Sequence, residues 1–309
     1  MSTNDWCAAR VDLGVQPTPL IDASSVQSGL WIKDDGRVTE RYGGNKPRKL
    51  EYLLHDAPKR IATMGAMGSH HCLATAVHGL SMGHDVHVVT FPRPHTSHVE
   101  RVLQATAARA TMHYVADIDA AKACLAELGK AGALAIPAGG SSARGVLGFV
   151  QAGFELIEQV EAGGMPRPER VFAAMGTGGT VIGLAMALAH AQWATEVIAV
   201  RVVPEAWLSI DDLEVLGRDV ESLAGITACL PSVDDRWLGA GYGASTSKAI
   251  DGVDACADLA SLETTYTGKA FAAVLADRRQ GPTLFWQTHN TRPLDPLLQD
   301  AARVDQIWS

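Results

Sequence analysis

The hydrophobic residues of this chain fall into two patterns that alternate along its length. Short apolar runs, typical of buried strands, occur at residues 61–64, 86–91, 113–116, 133–137, 171–174, 197–203 and 284–286. Apolar residues recur at helical spacing over residues 70–82, 96–107, 118–128 and 145–162, and a further helix is expected up to about residue 190. Buried strands that alternate with amphipathic helices are typical of parallel sheets with crossover helices. The pattern therefore predicts an α/β fold.

Length and charge narrow the possibilities further. The chain has 309 residues, which suggests two domains, since a domain usually contains about 100–200 residues. Its 34 acidic and 26 basic side chains leave a net charge of −8, which argues against nucleic acids and anionic membranes as partners. No apolar stretch reaches the ~18 residues of a membrane span, and the polar start of the chain lacks the apolar core of a signal peptide. We therefore expect a cytoplasmic protein.

The cysteines and histidines do not indicate a metal site. The five cysteines are widely scattered and form no C-x-x-C pair, so neither a disulfide framework nor a zinc site is expected. We expect reduced and mostly buried thiols. His70 and His71 are adjacent on a predicted helix, where consecutive side chains point about 100° apart and do not converge on one ion.

A glycine-rich segment, Gly176-Thr-Gly-Gly-Thr180, joins a predicted strand to a predicted helix. Backbone N–H groups at a helix N-terminus, together with the helix dipole and two hydroxyl groups, form a site for an anion. The dinucleotide fingerprint is incomplete because Val181 stands at its third glycine position, and no G-K-[ST] follows. A purely structural turn is the alternative interpretation.

A second glycine-rich segment, residues 43–51 (GGNKPRKLE), places Lys46 at a predicted loop-to-helix junction. Pro47 suits the first turn of a helix and disfavours the α conformation for the residue before it. A helix N-terminus and a partly dry pocket would both favour a neutral Lys46 amine, which Schiff-base chemistry requires. The alternative is a solvated basic cluster of Lys46, Arg48 and Lys49. We expect Lys49 to be exposed or ion-paired.

Residues 43–51 resemble the GGNK-x-RKLE segment of the D-cysteine desulfhydrase and 1-aminocyclopropane-1-carboxylate deaminase family. Residues 137–150 (PAGGSSARGVLGFV), the loop at 176–180, and the two tyrosine segments at 241–243 and 266–269 agree with that family in order and spacing. The resemblance extends from about residue 18 to residue 288. It implies a pyridoxal-phosphate enzyme of the tryptophan-synthase-β fold (fold type II), with two open, twisted, mostly parallel sheets flanked by helices.

The same resemblance implies a domain division and an assembly. Residues 1–49 and 150–309 would form a large cofactor-binding domain, and residues 50–149 would form a smaller one. Enzymes of this fold type are usually dimeric, so we expect a homodimer that acts on a small amino acid.

The resemblance also implies which residues hold the cofactor, pyridoxal 5′-phosphate. Lys46 would carry it as a Schiff base and later move the α-proton of the substrate. The remaining cofactor residues would be Asn45, His70, Gly176, Thr177, Gly178, Gly179, Thr180 and Thr288. Thr288 would face the pyridine nitrogen as a neutral partner, which favours elimination over transamination because the ring is then not a full electron sink.

Four positions carry the implied substrate chemistry. Ser69 would cap the helix that starts at residue 70 and would also receive the substrate carboxylate, since a helix N-terminus attracts anions. Tyr242 and Tyr266 would lie over the substrate, one of them as an acid or hydrogen-bond donor. Thr267 stands where deaminases of the family place a glutamate and desulfhydrases a threonine. This residue favours desulfhydrase-like elimination to pyruvate and ammonia.

The chain departs from the family directly after Ser69. Where the family normally has an asparagine followed by a glutamine or histidine, this sequence has His70 and His71. His70 could replace the asparagine at the 3′-oxygen of the cofactor, act as an acid–base group, or mark a different substrate. Both histidines are therefore candidates for substrate contact, and solvent-facing capping is the structural alternative. The segment after Thr288 also lacks the usual glycines, which leaves the substrate open.

Three other functions stay open at this point. The first is ring opening of 1-aminocyclopropane-1-carboxylate to 2-oxobutyrate with the same cofactor. The second is a protein that binds a nucleotide or another phosphate ligand without a covalent cofactor. The third is a family member that binds the cofactor without turnover.

Overall fold

The computed structural model of the protein describes residues 5–299, which fold into two sheets flanked by helices. Its strands are β1 (Leu20–Asp22), β2 (Leu30–Asp34), β3 (Arg60–Ala66), β4 (Asp85–Phe91), β5 (Thr111–Tyr114), β6 (Leu134–Ile136), β7 (Arg170–Met175), β8 (Glu196–Arg201), β9 (Ser232–Asp234) and β10 (Thr283–Gln287). Its helices are α1 (Asp5–Ala8), α2 (Lys46–Leu53), α3 (His70–Ser81), α4 (Ser97–Ala107), α5 (Ile118–Lys130), α6 (Ala143–Glu161), α7 (Gly179–His190), α8 (Ile210–Ala224), α9 (Ser247–Cys256), α10 (Thr267–Ala276) and α11 (Asp295–Leu298).

The larger sheet has the strand order β1-β2-β10-β7-β8-β9. Its strands run parallel except for β1, which pairs antiparallel with β2. All residues of β7 are buried, which explains the apolar run over residues 171–175 that follows Arg170. The apolar pattern predicted β7, β8 and β10 but missed β1, β2 and β9. In β2 the pattern is masked by Lys33, which is fully buried and forms an ion pair with Glu155.

The smaller sheet has the order β5-β4-β3-β6, and all of its strands are parallel. Its helices and strands agree with the predicted ones to within a few residues. The largest shift is in β5, predicted at residues 113–116 and observed at Thr111–Tyr114, where Thr111 pairs with His87 of β4. The observed fold confirms the predicted class of two mostly parallel sheets flanked by helices.

The two sheets use separate parts of the chain. The smaller sheet comes from residues 60–136, and the larger one from strands that precede residue 35 or follow residue 169. The expected division after residue 49 falls inside α2, and the one after residue 149 falls inside α6. The domain boundaries therefore stay a prediction.

Two sequence-based expectations concern features outside the sheets. The five cysteines are all free, but only Cys72 and Cys256 are buried, and Cys7 is exposed. The expectation of mostly buried thiols was therefore wrong. Over residues 5–299, the helices are too short or too polar to cross a membrane.

Candidate active site

A cavity of about 920 Å³ lies where strands of both sheets reach their carboxyl ends. Its wall includes segments that directly follow β3, β4, β6, β7 and β10. Open α/β sheets bind ligands at this edge because the loops there converge around a crevice. The residues selected from the sequence all line this cavity: Asn45, Lys46, Ser69, His70, His71, Gly176, Thr177, Gly178, Gly179, Thr180, Tyr242, Tyr266, Thr267 and Thr288. Their individual roles stay predictions.

Lys46 lies at the loop-to-helix junction, as predicted, but it is the first residue of α2 and Asn45 is the N-cap, so the cap-like, non-helical Lys46 expected from Pro47 was wrong. Its Nζ donates a hydrogen bond of 2.8 Å to Oδ1 of Asn45, and the Asn45 amide donates in turn to the Thr180 hydroxyl over 3.0 Å. Desolvation lowers the pKa of the Lys46 amine to about 8. About one tenth of this amine is therefore neutral, and thus nucleophilic, at pH 7, a much larger share than at its ordinary pKa of 10.5.

The loop before Lys46 is held against the end of β10. Gly44 has a φ of +77°, and a Cβ at this position would lie 2.8 Å from the carbonyl oxygen of Thr288. That same oxygen accepts a hydrogen bond of 3.1 Å from the backbone N–H of Asn45. Glycine is required here both by the left-handed backbone and by the close approach of Thr288. These contacts hold Lys46 and Thr288 in the wall of the same cavity.

The glycine loop forms an electropositive end of the cavity. Gly178, with a φ of +78°, is the N-cap of α7, whose first turn contains no acidic residue. The hydroxyl groups of Ser141 and Thr177 lie 2.7 Å apart, and the Gly179 N–H donates to Ser141 over 3.3 Å. A Cβ at Gly179 would lie 2.9 Å from Nζ of Lys49, so only glycine leaves this space open. Hydroxyl groups, backbone N–H groups at a helix N-terminus and the amine of Lys49 suit an anion.

Lys49 was wrongly expected to be exposed or ion-paired. It is only 2% exposed, and its Nζ donates to the carbonyl of Gly139 over 3.1 Å and to the Ser141 hydroxyl over 3.0 Å. Within residues 5–299 it forms no ion pair with a carboxylate. Burial, with a smaller effect of Lys46, lowers its pKa well below the usual value. The available sequence signal was its spacing, since residues three apart on a helix share a face.

Two tyrosines form a pair over the glycine loop. The phenolic oxygens of Tyr242 and Tyr266 lie 2.7 Å apart, and their rings meet edge to face with centroids 6.0 Å apart. Burial raises the pKa of both phenols, so both are protonated near neutral pH and one can donate to a ligand. Trp207 packs on the Tyr242 ring at a centroid distance of 5.2 Å.

Ser69 and Thr267 line the cavity at the N-termini of α3 and α10. Ser69 is the N-cap of α3, as predicted, and its hydroxyl accepts from the Cys72 N–H at 3.4 Å. Thr267 is 1% exposed, and its hydroxyl accepts from the Glu263 N–H at 2.9 Å. The Glu263 carboxylate accepts the backbone N–H groups of residues 265, 266 and 267. Thr267 is therefore tied to the start of α10 as well as lining the cavity.

His70 belongs to a cluster of three histidines. Its Nε2 lies 2.9 Å from Nε2 of His98, and its ring meets that of His289 edge-on at a centroid distance of 4.9 Å. Its Nδ1 is hydrogen-bonded to the hydroxyl of Tyr42. Burial lowers the pKa of each of these histidines, so they are neutral near neutral pH. Over the described part of the chain, no group of three or more His, Cys, Asp or Glu residues is arranged to hold a metal ion.

His71 is 4% exposed, and its Nε2 lies 2.8 Å from the hydroxyl of Thr63. The alternative of a solvent-facing pair is therefore wrong for His71. The sequence reasoning also missed Tyr42, His98 and His289 as members of the cavity wall. His98 and His289 come from segments far from His70 in the sequence, so no local pattern links them.

The amino-acid sequence of the chain is similar to those of known enzymes. The sequence profile of the family described as "Pyridoxal-phosphate dependent enzyme" matches residues 11–283. A D-cysteine desulfhydrase of Salmonella typhi is 30% identical over an alignment of 313 positions, which covers 90% of this chain and 93% of that protein. A putative 1-aminocyclopropane-1-carboxylate deaminase of Pyrococcus furiosus is 30% identical and covers 88% of each chain.

Solved structures agree with this assignment. The structure of an ACC deaminase homologue superimposes with a TM-score of 0.81 at 25% identity, over 93% of this chain and 94% of that one. Maize serine racemase superimposes with a TM-score of 0.65 at 17% identity, over 96% of each chain, and this second likeness supports the fold alone. The fold is that of the fold type II enzymes.

Proposed function

Since the chain belongs to the family of pyridoxal-phosphate dependent enzymes, we propose that it eliminates the β-substituent of a small amino acid to give pyruvate and ammonia. It is a pyridoxal-phosphate enzyme of the D-cysteine desulfhydrase and 1-aminocyclopropane-1-carboxylate deaminase group. The observation that carries the proposal is the position of Thr267, the residue type of the desulfhydrases, beside the Tyr242–Tyr266 pair.

The residues of the cavity fit the cofactor. A phosphate requires compensating positive charge and hydrogen-bond donors. Near the N-terminus of α7 lies Lys49, which has no carboxylate partner among residues 5–299. An aldehyde requires an amine that is partly neutral at working pH, and the pKa of Lys46 is lowered to about 8. We therefore assign the phosphate to the loop at 176–180 with Ser141 and Lys49, and the aldehyde to Lys46.

The bound cofactor supplies an acceptor for the electrons that remain at the α-carbon when its proton is removed. The residues of this chain supply the proton transfers and the orientation. Nζ of Lys46 would take the proton from the α-carbon, and its pKa, lowered to about 8, increases the neutral fraction of the amine that this step requires. Thr288 would face the ring nitrogen with a hydroxyl rather than a carboxylate, and a nitrogen without a charged partner would disfavour transamination.

The substrate carboxylate is assigned to Ser69 and the start of α3. Backbone N–H groups at a helix N-terminus bind carboxylates, and the first turn of α3 contains no acidic residue. The electron pair of the broken Cα–H bond forms the Cα=Cβ bond, and the β-substituent leaves with the electrons of its own bond. The protonated phenol of Tyr266 or Tyr242 can donate a hydrogen bond to that leaving group. The released aminoacrylate then reacts with water to give pyruvate and ammonia.

The test is a set of D- and L-β-substituted alanines offered to the reconstituted enzyme, with pyruvate as the product measured. We expect pyruvate from at least one of them, a visible absorbance of the reconstituted protein, and borohydride fixation of the cofactor on Lys46. Lys46→Ala should lose all three signals, whereas Lys130→Ala, at an exposed ion pair with Glu127, should keep them. Pyruvate formation that survives Lys46→Ala would overturn the proposal.

A second candidate is ring opening of 1-aminocyclopropane-1-carboxylate to 2-oxobutyrate. The similarity to the ACC deaminase homologue and to the putative deaminase of Pyrococcus furiosus supports it. Against it, this chain has Thr267 where the deaminases carry a glutamate. Incubation with the cyclopropane substrate, scored for 2-oxobutyrate against pyruvate from the β-substituted alanines, distinguishes the two reactions.

A further inference from the structure

Arg93 follows β4 and lines the same cavity. It has no part in the roles proposed above for Lys46 and for the phosphate site. Its Nε atom is buried without a hydrogen-bond acceptor, and among residues 5–299 its guanidinium forms no ion pair with a carboxylate. A buried donor on a charged group is costly to leave unpaired. Arg93 is therefore a cation whose counter-ion the described chain does not provide.

The surroundings of Arg93 keep it at the edge of the substrate space. Its guanidinium carbon lies 5.2 Å from the centre of the Tyr242 ring, in a cation–π contact. A Cβ at Gly243 would lie 2.7 Å from one of its terminal nitrogens, so this glycine leaves room for the guanidinium. The Tyr242 hydroxyl is hydrogen-bonded to the Tyr266 hydroxyl, so Arg93 and the two tyrosines form one side of the cavity.

The carboxylates that also line the cavity are already engaged. Glu263 accepts three backbone N–H groups at the start of α10. Asp212 accepts the backbone N–H and the hydroxyl of Ser209 in the capping box of α8, each at 2.8 Å. The clustered histidines His70, His98 and His289 are neutral, and the positive charge of Arg93 helps to lower the pKa of His70 and His98. This side of the cavity thus combines a cation without an ion-pair partner among residues 5–299, several neutral donors, and the Glu263 carboxylate, whose oxygens already accept backbone N–H groups.

We propose that Arg93 binds a second negative charge on the substrate, an oxyanion carried by the β-substituent, and that the enzyme prefers acidic amino acids for this reason. The inference rests on the proposed function, because the same cavity must hold the amino acid. The bonds that form and break are the same as in the elimination proposed above. The Cα–H proton passes to Lys46, the Cα=Cβ bond forms, and a sulfonate would leave as sulfite or a phosphate ester as phosphate with the electrons of the broken bond.

The first test compares acidic and neutral substrates on the holoenzyme. O-Phosphoserine and cysteate carry the second charge, whereas β-chloroalanine and O-acetylserine do not, and each is offered as the D and the L form. We expect a higher kcat/KM for an acidic member of the set. Arg93→Gln should lower the ratio of acidic to neutral kcat/KM roughly 10- to 100-fold, mainly through KM, because a charge-assisted hydrogen bond is lost. Arg93→Lys should retain part of the preference.

A matched control and a second readout separate binding from turnover. Arg218→Gln removes an arginine of α8 that is 62% exposed in its side chain and lies outside the cavity wall, and it should keep the wild-type ratio. Aspartate and 2-aminobutyrate have the same carbon skeleton and no leaving group of the kind used here. Their dissociation constants, read from the visible absorbance of the cofactor, should favour aspartate in the wild type and lose that preference in Arg93→Gln.

The outcomes distinguish this inference from the function on which it rests. Equal use of acidic and neutral substrates, or an equal loss for both classes in Arg93→Gln, would overturn the role of Arg93 and leave elimination standing. An absence of pyruvate from every substrate, with no absorbance change on addition of any amino acid, would overturn the proposed function itself.

Discussion

Nζ of Lys49 donates a hydrogen bond of 3.0 Å to the hydroxyl of Ser141 at the entrance of α7. Ser141 lies between β6 and α6, and its hydroxyl is also hydrogen-bonded to Thr177 and to the N–H of Gly179, so the contact brings the Lys49 amine to the N-terminus of α7. Lys46, one turn earlier in α2, lies in the same cavity. We therefore assign different roles to the two lysines: Lys49 binds the phosphate of the cofactor, and Lys46 reacts with its aldehyde.

We predict that Lys49→Gln weakens the binding of pyridoxal 5′-phosphate about 10- to 100-fold, because a charge-assisted hydrogen bond to the phosphate is lost. Pyridoxal, which lacks the phosphate, should bind wild type and variant with similar dissociation constants. The measurement is a fluorescence or absorbance titration of the apoprotein with each compound, and Lys130→Gln serves as the control for an exposed lysine. A loss of equal size for both compounds would contradict the assignment.

The attachment of the cofactor should depend on pH through Lys46. Its pKa is lowered from 10.5 to about 8, so below pH 8 the neutral amine increases about tenfold per pH unit and above pH 8 it levels off. The rate at which the apoprotein gains visible absorbance should follow this curve. Nα-acetyl-lysine in solution is the reference, and its rate should continue to rise to about pH 10. A protein rate that rises as far as that of the reference amine would contradict the lowered pKa.

The Tyr242–Tyr266 pair should act as a unit. Tyr266→Phe keeps the ring and removes one hydroxyl, and we expect kcat to fall about 100-fold, the size usual for loss of an acid or donor. Because the two hydroxyls share one hydrogen bond, the double variant with Tyr242→Phe should lose less than the sum of the two single effects in free energy. Steady-state kinetics on the four proteins gives this coupling. Strict additivity would show that the hydroxyls act independently.

Gly44 should be far less tolerant of alanine than Gly14. Both have a positive φ, +77° and +79°, so each substitution costs about 1–2 kcal/mol of backbone strain. Only at Gly44 would the new Cβ meet another group, the Thr288 carbonyl at 2.8 Å, whereas nothing lies within 4 Å at Gly14. We expect Gly44→Ala to lose about 1–3 kcal/mol more unfolding free energy than Gly14→Ala. Denaturant unfolding of the two apoproteins measures the difference, and equal losses would contradict it.

Thr267→Glu should destabilise the protein in a pH-dependent way. The Thr267 hydroxyl lies 3.3 Å from a carboxylate oxygen of Glu263, so a new carboxylate there would raise the pKa of the pair in the folded state. The folded variant would then bind more protons than the unfolded one between about pH 4.3 and the raised pKa, and its stability would fall as pH rises through that window. Thermal unfolding at pH 4.5 and pH 7 tests this. Thr267→Gln, the uncharged control, should show no such pH dependence.

Much of the fold was predictable because its signals are local. Fully buried strands such as β7 and amphipathic helices such as α6 have periodicities that appear within a few turns of chain. The strand β2 was missed for the opposite reason. Its buried Lys33 looks polar in the sequence, and only the ion pair with Glu155, contributed by α6, makes that burial acceptable.

By itself, the sequence determined the α/β class, the junction that begins α2 at Lys46, and the glycine loop that begins α7. These features depend on backbone conformation and on periodic burial, which neighbouring residues encode. Only the tertiary structure decided that Lys49 is buried at the anion site and that Arg93 lies beside Tyr242 without a counter-ion. The partners of a charged side chain come from distant segments, so its burial, its pKa and its chemistry are decided when the two sheets bring those segments together.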